Sequence, residues 1–160
     1  MIVHKLLVDD FKDGLYSLLA IHCALEDYQL GYLLNKHLNL NLKRKPFDLD
    51  SKNQTASYAI YECEDRENSA LWHLVSNICK IEEFVDTTSD SLFDVPRKLV
   101  RTHNLIPEYK RVNYLLKIDA DGRYFNEKTI INKIQEIKQI ATVYSIDVSK
   151  LKSKVNLIFN

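Results

Sequence analysis

Apolar and polar positions alternate most strictly between Val112 and Ile118. Val112, Tyr114, Leu116 and Ile118 fall on one side, and Asn113, Leu115 and Lys117 on the other, which is strand spacing. Pro107, just upstream, drives Ile106 into an extended conformation and offers no backbone N–H. The segment reads as a kinked lead-in to a buried strand. A three-to-four spacing appears twice. Leu30, Leu33, Leu34 and Leu38 predict a helix over Leu25 to Leu38, with Glu26 and Asp27 in its first turn and Lys36 and His37 in its last, as the helix dipole favours. Gly31 inside it costs about 1 kcal/mol against alanine, which points to close packing. Ile130, Ile131, Ile134, Ile137 and Ala141 predict a second helix, capped by Asn126 and running to about Ile140.

The remaining elements are shorter. Lys5 to Val8 reads as a first strand, followed by a polar turn at Asp9, Asp10, Asp13 and Gly14. Tyr16 to His22 reads as a buried strand, although a helix from Leu15 competes, because short apolar runs are ambiguous. Leu42 to Asp50 reads as an edge strand on the strength of Pro46. Tyr58 to Glu64 and Leu71 to Lys80 form a hairpin about the charged turn Asp65–Ser69, with Trp72, Leu74 and Ile78 on one face and His73, Val75 and Cys79 on the other. Asp86 to Asp94 is a surface loop, Lys98 to Asn104 a further strand, and Thr142 to Val148 a last strand after the second helix. Strand, helix and strand at the C-terminal end make one crossover unit. The expected fold is one α+β domain over residues 1–160: a mostly antiparallel sheet with two main helices on one face, open to a ferredoxin-like arrangement.

Composition narrows the function more than it defines it. A chain of 160 residues with 46% hydrophobic content suits one packed domain. Lys plus Arg and Asp plus Glu number 22 each, so no global field draws nucleic acid or a membrane. Met1-Ile2-Val3-His4-Lys5 meets Asp9-Asp10 too soon for a secretory signal, and no apolar run is long enough to span a bilayer. Cys23, Cys63 and Cys79 form no C-x-x-C pair, so a reduced cytoplasmic setting is expected. With only Gly14, Gly31 and Gly122, neither a phosphate-cradling loop nor a dinucleotide fingerprint can be written. No cofactor is expected.

Candidate chemistry is sparse. His4, His22, His37, His73 and His103 are scattered without metal-ligand spacing, so no metal and no catalytic residue is assigned. A Cys–His nucleophile assembled from Cys79 or Cys63 with His73 or His103 competes with the commoner role of a free cysteine as a small core residue. Asp119-Ala120-Asp121-Gly122 suits a turn better than a calcium loop. The basic groups Lys43-Arg44-Lys45, Arg97-Lys98-Arg101, Lys110-Arg111 and Lys150-Lys152-Lys154 would make a phosphate-binding face if folding joins two of them, with Tyr58, Tyr61, Trp72 or Tyr109 to stack on bases. Solvated edges are the plainer alternative. Glu108, aimed by the bend after Pro107, is a contact for a partner or ligand, or fixes the turn.

Ile106, Pro107, Glu108, Val112 and Tyr114 resemble the signature of the bacterial I-P-E-x-x-V-D-Y family, with Asn113 where the motif has Asp. The resemblance extends over nearly the whole chain, through Ala20-Ile21-His22, Leu25-Glu26-Asp27-Tyr28, Tyr32–Lys36, Leu42–Lys45 and Leu151–Lys154. It implies a small bacterial cytosolic protein and brings no known substrate or cofactor. An amide cannot replace a general-base Asp, but it can replace one that only accepts a hydrogen bond. The functional expectation is a non-enzymatic interaction or adaptor module with a protein partner or as a homodimer, with Glu108, Asn113 and Tyr114 as contacts. The alternatives are an RNA-associated protein using Lys43, Arg44, Lys45, Lys110 and Arg111, and an enzyme with a dispersed site.

Overall fold

Where both faces of a strand are covered, every side chain turns apolar and alternation vanishes. Leu18, Leu19, Ala20 and Ile21 are such a run: all are buried, and the chain there is strand rather than helix. It is the centre of an α+β architecture in the computed structural model, which describes residues 16–51, 55–85, 97–121 and 125–159. The expected strand at Lys5–Val8, the turn at Asp9–Gly14 and the loop at Asp86–Asp94 lie outside the described residues.

In chain order the elements are β1 (Tyr16–Cys23), α1 (Asp27–Leu38), β2 (Lys43–Arg44), β3 (Leu49–Asp50), β4 (Ser57–Tyr58), β5 (Ile60–Asp65), β6 (Ala70–Ser76), β7 (Ile78–Val85), β8 (Arg97–Asn104), β9 (Tyr114–Asp119), α2 (Glu127–Gln135) and β10 (Ile140–Ser145). Six strands form one sheet in the order β10-β1-β9-β6-β5-β2. Each pairing in it is antiparallel. Strands β9 and β10 are therefore parallel to one another, with β1 between them and α2 connecting them: the expected crossover, split by an inserted strand. With α1 following β1, the run β10-β1-β9-β6 has the order of a ferredoxin-like β-α-β-β-α-β unit, extended by β5 and β2.

Both helices pack on one face. Leu30 and Leu34 of α1 and Ile134 of α2 join Leu19, Ile21, Trp72, Leu74, Leu116 and Ile118 in one core. A Cβ on Gly31 would lie 3.6 Å from Tyr61 ring carbons, at ordinary contact distance. The opposite face, with Leu18, Ala20, Val75 and Leu115, has no α-helix over it among the described residues. Leu105, Ile106 and Val112, with Val148, Leu151 and Leu157 of the C-terminal turns, seal it.

Besides the last strand, which runs Ile140–Ser145 rather than Thr142–Val148, four boundaries depart from the sequence reading. Pro107 opens a 3-10 turn, Pro107–Tyr109, and the strand begins only at Tyr114. Leu42–Asp50 is not one strand: Pro46 separates β2, on the large sheet, from β3, which pairs with β4. Helix α2 stops at Gln135, because Ile137 and Ile140 donate to carbonyls three residues back, tightening the chain into turns that still bury Ile137. Gln135 Oε1 then accepts the Val143 N–H at 3.3 Å, on the side of β10 that pairs with no strand among the described residues. Lastly, the second hairpin arm breaks at Asn77. Strand β6 stays in the sheet, while β7 leaves it to pair with β8 as a separate two-stranded ribbon.

Candidate functional site

The break at Asn77 organises the stretch that carried the family resemblance. Asn77 is fully buried. Its Nδ2 donates to the carbonyls of Tyr109 and Val112, each at 2.9 Å, and its Oδ1 accepts the Ile106 N–H at 2.8 Å. Its backbone N–H donates to Asn113 O, and its carbonyl accepts from Leu105 N, both at 2.9 Å. One amide side chain thus fixes the path of residues 105–113.

The three expected contact residues sit within this frame, Tyr114 buried, Asn113 half-buried and Glu108 exposed, and each is bonded within the chain. Asn113 Oδ1 accepts the Cys23 N–H at 3.1 Å. An aspartate oxygen could do the same, so only the acceptor matters here. Tyr114 Oη donates to Leu25 O at 2.6 Å, and burial pushes its phenol far above the ordinary range, helped by the nearby Cys23. Glu108 Oε2 accepts from the amides of Lys152 and Ser153 at 2.8 and 3.2 Å, and Oε1 accepts from Ser153 Oγ at 2.7 Å. Desolvation raises the Glu108 pKa, but these bonds outweigh it and leave the carboxyl below its ordinary value.

The basic groups divide. Arg44 pairs with Asp48, reaches Asp27 at 3.9 Å and lies over the Tyr61 ring. Lys45 Nζ is 3.2 Å from Glu62 Oε2. Lys43 stands exposed beside them on β2. Lys110 and Arg111 are instead beside His22 and Tyr144, around a recess of about 370 Å³. Strand β2 ends one edge of the sheet, and β1, which carries His22, lies four strand spacings from it, roughly 19 Å. No ion pair or recess among the described residues holds side chains of both groups. Glu108, through its bonds to Lys152 and Ser153, does bring Lys110–Arg111 to the Lys150–Lys154 segment.

The buried polar row runs across β5, β6 and β9. His73 faces Glu62 on one side and Lys117 on the other. Its Nε2 lies 2.8 Å from Glu62 Oε2, its ring lies against Phe159, and its Nδ1 is buried without a partner among the described residues. Burial lowers the His73 pKa, with Lys117 and Lys45 acting in the same direction and Glu62 opposing. The unfolded chain therefore takes up this proton near 6.5 and the folded chain only at lower pH. Stability is complete above 6.5 and falls as pH drops below it, because the unfolded state binds more protons there. Glu62, held below 4.5 first by its bond to His73, adds its loss only at more acid pH. Chemical unfolding between pH 7 and 4.5 will show the decline, and His73→Gln will flatten it; an unchanged slope in the variant would contradict this account.

Cys63 lies on the helix side of the sheet and His73 on the other, so that pair is not assembled. Cys79 and His103 do oppose each other in the ribbon register, with no hydrogen bond between them among the described contacts. Cys23 is buried, and burial pushes its thiol pKa up, away from the thiolate that nucleophilic chemistry needs. Cys23 and Cys79 line, with Asp27, Asp48, Lys80 and Tyr114, a recess of about 540 Å³. Among the described residues no three His, Cys, Asp or Glu side chains gather as a metal site, and no helix is long and apolar enough to cross a membrane.

Asn77 escaped the sequence reading because a lone amide in an apolar run has no spacing signature. The only cue was the adjacent polar pair Ser76-Asn77 interrupting the strand pattern. No protein-family model matches the chain, no curated protein matches it, and no solved structure matches it.

Proposed function

We propose that this protein is a non-enzymatic interaction module that associates with a second copy of itself through the β7–β8 ribbon. The supporting observation is an apolar ribbon left in solvent. Phe84 is 70% exposed, Val100 50%, Val85 44% and Leu99 42%. Phe84 and Val100 share one face and Val85 and Leu99 the other. A two-stranded ribbon is marginally stable alone in water, and exposed apolar area of this kind marks contact surfaces.

Two ion pairs lie within the ribbon, and Lys80 and Arg97 add two further positive charges. Lys98 reaches Glu82 at 2.8 Å and Arg101 reaches Glu83 at 3.2 Å. The resemblance around Ile106–Tyr114 is compatible with this scaffold reading, since Asn113, Tyr114 and Glu108 all hold backbone or neighbouring segments in place. Sedimentation velocity across a concentration series will show a dimer. The double variant Phe84→Asp with Val100→Asp will be monomeric with an unchanged far-ultraviolet circular dichroism spectrum. A parent protein that stays monomeric at every concentration would overturn the proposal.

A further inference from the structure

We infer that the corner built by the Pro107–Tyr109 turn and the Asp147–Lys154 segment binds the backbone of a single-stranded nucleic acid. Two basic groups far apart in sequence meet there, joined by the Glu108 bonds to Lys152 and Ser153. Among the described residues, Lys110, Arg111 and Lys152 are engaged by no carboxylate, whereas Arg44 and Lys45 on the far edge both are. The corner's two anions are occupied: Glu108 by the segment it anchors, Asp147 by Ser149 and Lys150. The result is a local cationic surface on a chain whose formal net charge is zero.

Aromatic rings lie in the same place. The 370 Å³ recess is lined by Tyr109, Tyr144 and His22 as well as by Lys110 and Arg111. His22 Nε2 is 3.0 Å from Tyr144 Oη, and the rings lie 5.5 Å apart at 31°. Tyr144 is 37% exposed, with His22 beside its ring, and lines the recess. Cations that track phosphates beside rings that stack on bases are the two requirements of single-strand binding, and unstacked bases are what such pockets read. The site lies apart from the apolar ribbon faces, so it stands or falls independently of self-association.

The test is fluorescence anisotropy with a labelled uridine oligomer of about twelve nucleotides, within the usual single-strand site size, and a deoxythymidine oligomer of equal length. Binding should weaken linearly on a log–log salt plot. The double variant Lys110→Glu with Arg111→Glu should lose about tenfold or more and reduce the slope by roughly 1.4, at about 0.7 per phosphate contact. Tyr144→Ala should weaken binding several-fold, and Lys43→Glu, at the opposite edge, should leave it unchanged. Tighter uridine binding would identify RNA as the natural strand, and equal binding a strand of either kind. The inference fails if neither oligomer binds at low salt, if Lys43→Glu is as damaging as the Lys110–Arg111 reversal, or if inorganic tripolyphosphate competes as well as the oligomers while Tyr144→Ala has no effect.

Discussion

Asn77→Ala is expected to destabilise the protein by about 2–6 kcal/mol, because two backbone groups lose their partner and each unsatisfied buried group costs about 1–3 kcal/mol. The groups are the carbonyl of Val112 and the amide of Ile106, while the carbonyl of Tyr109 keeps the Val112 N–H. Water cannot replace the amide easily, since Asn77 is 0% exposed. A domain of this size is stable by only about 5–15 kcal/mol, so the loss takes a large fraction of the total. Urea unfolding followed by fluorescence of Trp72, the single tryptophan, will show the shift in midpoint. Asn77→Asp should be at least as harmful at neutral pH: it keeps the acceptor oxygen but turns a carboxylate toward two carbonyls. A midpoint equal to the parent's in either variant would remove Asn77 from its central position.

Ile106→Ala should cost about 2–5 kcal/mol, the usual range for truncating a fully buried isoleucine. Ile106 is completely buried in the core on the face away from the helices. Two residues in the same stretch give the contrast. Lys110→Ala, at an exposed site, should change stability by less than about 0.5 kcal/mol. Pro107→Ala should cost about 1 kcal/mol or less, mainly through greater freedom of the unfolded chain. Thermal or urea unfolding of the three variants side by side reads the order directly. A Lys110→Ala effect as large as that of Ile106→Ala would mean that this stretch is not organised around the core.

The parts of the fold that were legible in the sequence are those where one physical cause acts alone. The stripe from Leu30 to Leu38 and the alternation from Tyr114 to Ile118 mark burial, and both elements formed. Misread boundaries came from two causes competing. Ile137 continues the helical stripe and is buried, yet turn hydrogen bonds end α2 before it. Apolar residues resume on the same two faces after the polar pair Ser76-Asn77, while the backbone leaves the sheet there because a buried amide holds it to another segment. The same limit applies to the candidate site. The sequence supplied the basic groups and Tyr109, but not which groups meet. That pairing depends on Glu108 reaching 44 and 45 residues along the chain to Lys152 and Ser153, a contact no local pattern encodes.

The cap that Gln135 places on the Val143 amide has a consequence for how this protein ages. Ile140 to Ser145 contains no charge and no proline, the composition that lets identical segments stack into cross-β filaments. A side chain from the last turn of a short helix, 9 residues in all, is what stands in the way at that amide. Warming that frays this turn while the sheet stays folded withdraws the glutamine and offers the bare segment as a template. Fibril formation is then expected to begin from a nearly native molecule, which thioflavin fluorescence below the melting temperature will show.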